Sequence, residues 1–153
     1  HQVLKKPSSN DKNNSEQKES WQLTYEEGRK VIESMRFAET SSLFGNEKDN
    51  SFKSTLGAIY QTFGGKDVYP TLEEKAANLL YMLVKNHSFN DGNKRIAAAL
   101  FIYFLERNNL LFDINKIPII DNNTLAAMTL MIALSKPEEK EIMCLLVLNM
   151  LNK

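Results

Sequence analysis

The sequence predicts an all-α fold, a bundle of five to six helices carrying one small β-hairpin or extended flap. Three observations lead there: apolar residues recur at helical spacing in successive segments, capping patterns precede several of them, and only one short stretch mixes strand formers with turn formers. Residues 1–20 are polar and charged, with too little apolar surface to offset the cost of ordering, and read as an arm or linker. Residues 21–38 read as a lead-in helix, with Thr24 and Glu27 as a capping box and Val31, Ile32 and Met35 at helical spacing. Glycine and polar residues over 41–50 break that pattern. Phe52, Leu56, Ile59 and Tyr60 then predict a short helix that ends before Gly64-Gly65.

Residues 61–70 are the hairpin or flap, of a length that suits a loop over a site. A second capping box, Thr71 with Glu74, opens a helix to about Asn86 with Ala76, Leu79, Leu80, Leu83 and Val84 on one stripe. The next helix starts near Asn93 or Lys94 and carries Ile96, Ala97, Leu100, Phe101, Phe104 and Leu105. Its wide apolar stripe marks it as the central, mostly buried helix, stopped by Asn108-Asn109. After Pro118, a cap over Asp121-Asn122-Asn123 opens an apolar helix over 124–134, and Ser135 with Glu138 caps a last helix in which Pro137 lacks no needed N–H.

Composition narrows the function. With 153 residues and 42% hydrophobic content, the chain supports one core plus an appendage. Lysine and arginine number 19, as do aspartate and glutamate, so no global positive field favours nucleic acid or an anionic membrane, and any anion site is local. The single Cys144 excludes an internal disulfide and reads as a small core residue. No apolar signal core or membrane-length stretch occurs, which makes the cytoplasm the expected location. The chain starts with His1, the mark expected of a piece of a longer protein.

The chemistry concentrates in the loop between the two central helices, His87-Ser88-Phe89-Asn90-Asp91-Gly92-Asn93-Lys94-Arg95. Gly92 lets the backbone approach a ligand, and the following helix offers free N–H groups and the positive end of its dipole, a site for phosphate. Lys94 and Arg95 in that first turn are unfavourable against the dipole unless a polyanion is present. Asp91 is placed to hold Mg²⁺ against phosphate oxygens, and His87 to act as a general base. Each residue also has an ordinary structural reading: His87 as a C-cap, Asp91 or Asn93 as an N-cap, Gly92 as a turn residue. The ordered combination is what no capping scheme requires. Phe89 reads as a core anchor for the loop.

This segment resembles the motif of the Fic/Doc family, His-Pro-Phe-x-(Asp/Glu)-Gly-Asn-(Gly/Lys)-Arg, with Ser88 in the proline position. The stretch 52–105 is similar to the C-terminal domain of RhuM-type virulence proteins, and 21–50 to their lead-in. The resemblance implies a Fic/Doc-type bundle with the active loop between two central helices, the catalytic domain spanning 51–153 and the lead-in 21–50. It implies ATP and Mg²⁺ as cofactors and a Ser, Thr or Tyr hydroxyl of a target protein as acceptor. His87 would take the hydroxyl proton, Asp91 would bind the metal, and Asn90, Gly92, Asn93, Lys94 and Arg95 would bind nucleotide. Phe63, Gly64, Gly65, Lys66, Asp67, Val68 and Tyr69 would form the flap that aligns the target by strand addition. Lys94 in place of a second glycine, and Ala98 in place of a further arginine, resemble Doc and favour phosphoryl transfer over AMP transfer. The inhibitory pattern (Ser/Thr)-x-x-x-Glu-(Gly/Asn) has only imperfect fits, at 15–20 and 135–140. Restraint is therefore expected from an upstream domain or a separate antitoxin.

Two rival classes stand beside the enzyme. One is a fold that binds nucleotide or a partner without turnover, against which the intact His87, Asp91, Asn93 and Arg95 argue. The other is a DNA-associated regulator, disfavoured in this piece by its neutral charge. A multi-histidine metal hydrolase is excluded, because the chain has only two histidines and His1 lies in the polar arm.

Overall fold

The computed structural model describes residues 20–152, so the arm expected over 1–20 falls outside the described residues except for Ser20. The order of elements is α1 (Tyr25–Arg36), α2 (Ser51–Ile59), β1 (Thr62–Phe63), β2 (Lys66–Asp67), α3 (Leu72–Asn86), α4 (Asn93–Arg107), α5 (Asn122–Leu134), a 3₁₀ turn (Pro137–Glu139) and α6 (Lys140–Leu151). This is the helical bundle with a small hairpin that the sequence predicts.

The helix starts follow local chemistry. At α1 the Thr24 hydroxyl accepts the Glu27 N–H at 3.1 Å. The Glu27 carboxylate does not complete the expected capping box; it accepts instead from the Tyr103 hydroxyl at 3.1 Å, tying α1 to α4. At α3 the box is reciprocal, with Glu74 N–H on the Thr71 hydroxyl at 3.0 Å and Thr71 N–H on the Glu74 carboxylate at 3.2 Å. Asp121 caps α5 by accepting from Thr124 N–H at 2.7 Å. The last cap differs from expectation by one residue. Ser135 donates its hydroxyl back to Ile132 O at 2.7 Å, closing α5, and the Glu139 carboxylate accepts Lys136 N–H at 2.7 Å to start the 3₁₀ turn. Pro137 is the first residue of that turn, where no N–H is needed.

The most enclosed helix is α3, which corrects the assignment of that role to the helix after the loop. It packs against α2, α4, α5 and α6, and residues 71–80 are buried without interruption, whereas α4 turns Lys94, Arg95, Glu106 and Arg107 to solvent. Enclosure of α3 includes a lysine: the Lys75 ammonium reaches the Asp67 carboxylate at 2.9 Å and Tyr69 O at 2.5 Å, which satisfies a charge that burial would otherwise penalise. The core runs through Ile32, Phe44, Phe52, Ile59, Leu79, Leu80, Leu83, Phe89, Ile96, Leu100 and Phe101. Residues 21–50 share it. Trp21 N–H bonds Asn108 Oδ1 at 3.1 Å, the Trp21 ring meets Tyr103 edge-on at 5.2 Å, and Leu23 N–H bonds the Tyr60 hydroxyl at 2.7 Å. No helix among the described residues is long and apolar enough to cross a membrane.

Candidate active site

The loop joining α3 to α4 is held from three sides. At its start, His87 adopts the left-handed conformation (φ 47°, ψ 53°) and stops α3. For a residue with a Cβ this costs about 1 kcal/mol, and it turns the chain sharply. The imidazole is left exposed, so the capping and reactive readings of His87 describe the same geometry. Ser88 is fully buried; its hydroxyl lies 2.6 Å from the Ser51 hydroxyl at the start of α2. Phe89 is buried against Phe52, ring centres 5.3 Å apart, as the core-anchor reading expects. That burial contributes about 2 kcal/mol towards fixing the loop to the bundle.

Asn93, the first residue of α4, spends its side chain on the loop itself. Its Oδ1 accepts Phe89 N–H at 2.9 Å and its Nδ2 donates to Phe89 O at 2.8 Å. What it offers a ligand is its backbone. Gly92 precedes it at φ +91°, and a Cβ there would lie 2.4 Å from the Phe44 ring, so both backbone and space demand glycine. With Gly92 as N-cap, α4 has no side-chain cap, and the first intrahelical acceptor is Gly92 O for Ile96 N–H at 2.8 Å. The amides of Asn93, Lys94 and Arg95 thus form the open, electropositive end of a fifteen-residue helix.

Around that end stand the charges. The Asp91 carboxylate is 37% exposed and lies 3.5 Å from the Arg95 guanidinium. Arg95 also pairs with Glu39 and lies over the Phe44 ring at 5.1 Å. Lys94 is exposed. Asn90 is exposed too, its N–H held by Asn46 O at 2.8 Å. Asp91, Lys94 and Arg95 thus stand at the start of α4, with His87 and Asn90 exposed in the loop that leads to it and Gly92 buried beneath. The Asp91 carboxylate beside an open helix N-terminus suits Mg²⁺, which takes one or two carboxylates and completes its shell with phosphate oxygens and water.

The flap lies between α2 and α3 in the chain. Thr62 pairs with Asp67 and Phe63 with Lys66, Val68 N–H closes the hairpin on Gln61 O at 3.0 Å, and Gly64-Gly65 make the two-residue turn at positive φ. Residues 63–68 are exposed, Phe63 at 85%, while Tyr69 is half-buried and its carbonyl is pinned by Lys75. The α2 start touches the active loop through Ser51, and the flap springs from the α2 end, roughly 13 Å further along a nine-residue helix. The loop residues run from the end of α3 to the first turn of α4, and the flap joins the end of α2 to the start of α3. A cavity of about 550 Å³, lined by Val68, Tyr69, Asn78, Cys144 and Leu148, also lies at the flap end of α3; it holds none of the reactive loop residues.

Sequence reasoning treated residues 41–50 as a break, yet this segment frames the loop. Gly45 N–H donates to Asp91 O at 3.0 Å, Lys48 N–H to Ser88 O at 2.9 Å, and Asn46 O accepts from Asn90. Phe44 fills the space beneath Gly92. The available signal was Leu43-Phe44-Gly45, an apolar pair and a glycine inside an otherwise polar stretch.

Comparison with known proteins agrees with this geometry. The profile described as Fic/DOC family matches residues 22–105, more than half of the chain, and takes in both the lead-in and the active loop. The chain is 49% identical over 49 residues to the protein named Toxin Doc from Mycolicibacterium smegmatis; that stretch is 32% of this chain and 38% of the toxin. The chain thus matches well under half of that relative's length. No solved structure matches it. An open helix N-terminus behind a His-x-Phe-x-Asp-Gly-Asn-x-Arg loop, framed by the segment that the family profile also covers, places this chain in the Fic/DOC family.

Proposed function

We propose that this domain transfers the terminal phosphate of ATP to a hydroxyl of a target protein. The observation that carries the reading is the open N-terminus of α4, with Gly92 backing onto Phe44, Asp91 and Arg95 paired beside it, and His87 exposed at the start of the same loop. His87 accepts the proton of the target Ser, Thr or Tyr hydroxyl, whose oxygen bonds to the γ-phosphorus as the bond to the ADP oxygen breaks. The amides of Asn93, Lys94 and Arg95 bind phosphate oxygens, and Arg95 exchanges Glu39 for phosphate. Asp91 would hold Mg²⁺, which when bound would neutralise phosphate charge. Lys94 supplies a further cation where a glycine would leave room. With the likeness to Toxin Doc, this supports phosphoryl over AMP transfer, in which attack falls on the α-phosphorus and pyrophosphate leaves. The flap, residues 63–69, adds the target as a third strand. Cytoplasmic location and restraint by a separate antitoxin belong to the same proposal.

The test is incubation of the protein with Mg²⁺ and ATP labelled on the α- or the γ-phosphate, with a bacterial lysate as target. His87→Ala is the control. Wild-type-specific γ-label on protein is expected. Wild-type-specific α-label would replace phosphoryl with AMP transfer, and no label from either, with nucleotide bound, would leave the non-catalytic binding module as the better reading.

A further inference from the structure

We infer that Arg29, on α1 and outside the motif, is a positioning residue for Asp91, acting through Gly45. The inference rests on the reading of Asp91 as the metal-binding carboxylate. Arg29 Nη1 donates to Gly45 O at 2.8 Å, and the N–H of the same Gly45 donates to Asp91 O at 3.0 Å. Two hydrogen bonds in series thus join a guanidinium on the lead-in helix to the backbone of the residue that precedes Gly92.

The guanidinium is itself held. Its Nη2 meets Glu33 at 2.6 Å and its Nη1 lies 3.4 Å from Glu47, whose other contact is the Tyr25 hydroxyl at 2.5 Å. Side-chain exposure is 21% for Arg29 and 17% for Glu47, so this network lies mostly out of solvent, where polar groups are costly unless paired. Glu47 sits opposite Phe89 in a bridge to the active loop, so Arg29 and Glu47 brace the frame at both ends of the contact.

The consequence is directional. Gly45 is buried, with Ile32 and Arg36 close around it, and the Gly45–Asn46 peptide that Arg29 grips by its oxygen has one further hydrogen bond, Asn46 N–H to Leu43 O at 3.1 Å. Without the guanidinium, that peptide keeps one of its two hydrogen bonds, and because it lies between the Gly45 amide that bonds Asp91 and the Asn46 carbonyl that accepts from Asn90, the bonds on both sides of it weaken. Asp91 then loses a fixed bearing relative to the amides of α4, while the core residues beneath keep their packing. Partners that orient a metal ligand from behind typically change metal affinity by about 10- to 100-fold.

The experiment compares wild type, Arg29→Met, Arg29→Lys and Glu33→Ala. It measures the Mg²⁺ concentration for half-maximal binding of a fluorescent ATP, together with amide hydrogen exchange at Gly45, Asn90 and the core amides of Leu100 and Phe101. The Mg²⁺ midpoint should rise about tenfold in Arg29→Met and recover in part in Arg29→Lys. Glu33→Ala, which removes the exposed partner of Arg29 and its contact with Arg36 but leaves the bond to Gly45, should match wild type. Exchange should quicken at Gly45 and Asn90 and not at Leu100 or Phe101. An unchanged Mg²⁺ midpoint in Arg29→Met overturns the inference, as does quickened exchange spread evenly over the core. If wild type itself binds no Mg²⁺–ATP, the functional reading fails. Exchange then decides alone: local quickening upholds the link from Arg29 to the loop, and unchanged exchange removes it.

Discussion

Asn93→Ala separates two roles that a motif asparagine can have. The side chain makes two hydrogen bonds to the backbone of Phe89, at 2.9 and 2.8 Å, and these close the loop on the start of α4. Each such bond is worth about 1 kcal/mol net, and the partners left behind are half-buried, which adds a desolvation penalty of similar size. A destabilisation of about 2–3 kcal/mol follows, large for a polar substitution. For a chain of this length that is a fall in Tm of about 5–10 °C. Asn93→Asp is the sharper variant: it keeps an acceptor for Phe89 N–H but sets a carboxylate against Phe89 O, so the helix-dipole gain of about 0.5 kcal/mol does not restore the loop. Both variants should unfold early in differential scanning calorimetry without nucleotide. Wild-type Tm in both would show that the Asn93 side chain does not hold the loop, and would return it to the list of direct phosphate ligands.

Gly92→Ala should cost about 2–5 kcal/mol, from a left-handed φ and a Cβ 2.4 Å from the Phe44 ring, and should abolish nucleotide binding in calorimetric titration. Glu39→Gln frees Arg95 from the nearer of its two carboxylate partners and should tighten ATP binding several-fold at low salt; weaker binding would make Glu39 part of the nucleotide site. The Tyr60 hydroxyl is pushed up to about 12 by burial, above its ordinary value near 10. Its protonated form is therefore favoured in the folded state, so this contribution to stability is intact below pH 10 and is lost as pH rises from 10 towards 12, measurable by urea unfolding at stepped pH. Burial likewise raises the Cys144 thiol to about 11, so iodoacetamide at pH 8 should label it about a hundredfold more slowly than free cysteine.

Much of this was legible because the information was local. Thr71 with Glu74, Asp121 before α5, the Gly64-Gly65 turn and the apolar stripe of α3 each depend on neighbours within four residues, and each lies where periodicity and capping put it. The misplaced features depend on distant partners. Glu27 abandons its capping box because a Tyr103 hydroxyl, 76 residues away, competes for its carboxylate. The enclosure of α3 was hidden because Glu73, Glu74, Lys75 and Asn78 look like a solvent face until the flap and α6 cover them. The frame around the loop was least legible of all. Its bonds run between backbone atoms of residues 45–48 and 88–91, and backbone pairing leaves almost no trace in side-chain identity.

The same geometry constrains what the proposed enzyme can modify. One end of α2 is fastened to the active loop by Ser51 and Ser88, and the other leads into the flap, which Lys75 fixes to the start of α3. Two helices join the hairpin to the loop, the nine residues of α2 spanning roughly 13 Å and the fifteen of α3 roughly 22 Å. An extended target strand rises about 3.3 Å per residue, so under the proposed function about four to seven residues would lie between its pairing with the flap and the hydroxyl presented to His87. Phe63, the most exposed aromatic of the flap, offers an apolar contact at the pairing end. Selection of the acceptor then depends on spacing from that contact as much as on the identity of the hydroxyl residue. A folded target would qualify only where an exposed strand or loop holds the acceptor at that distance.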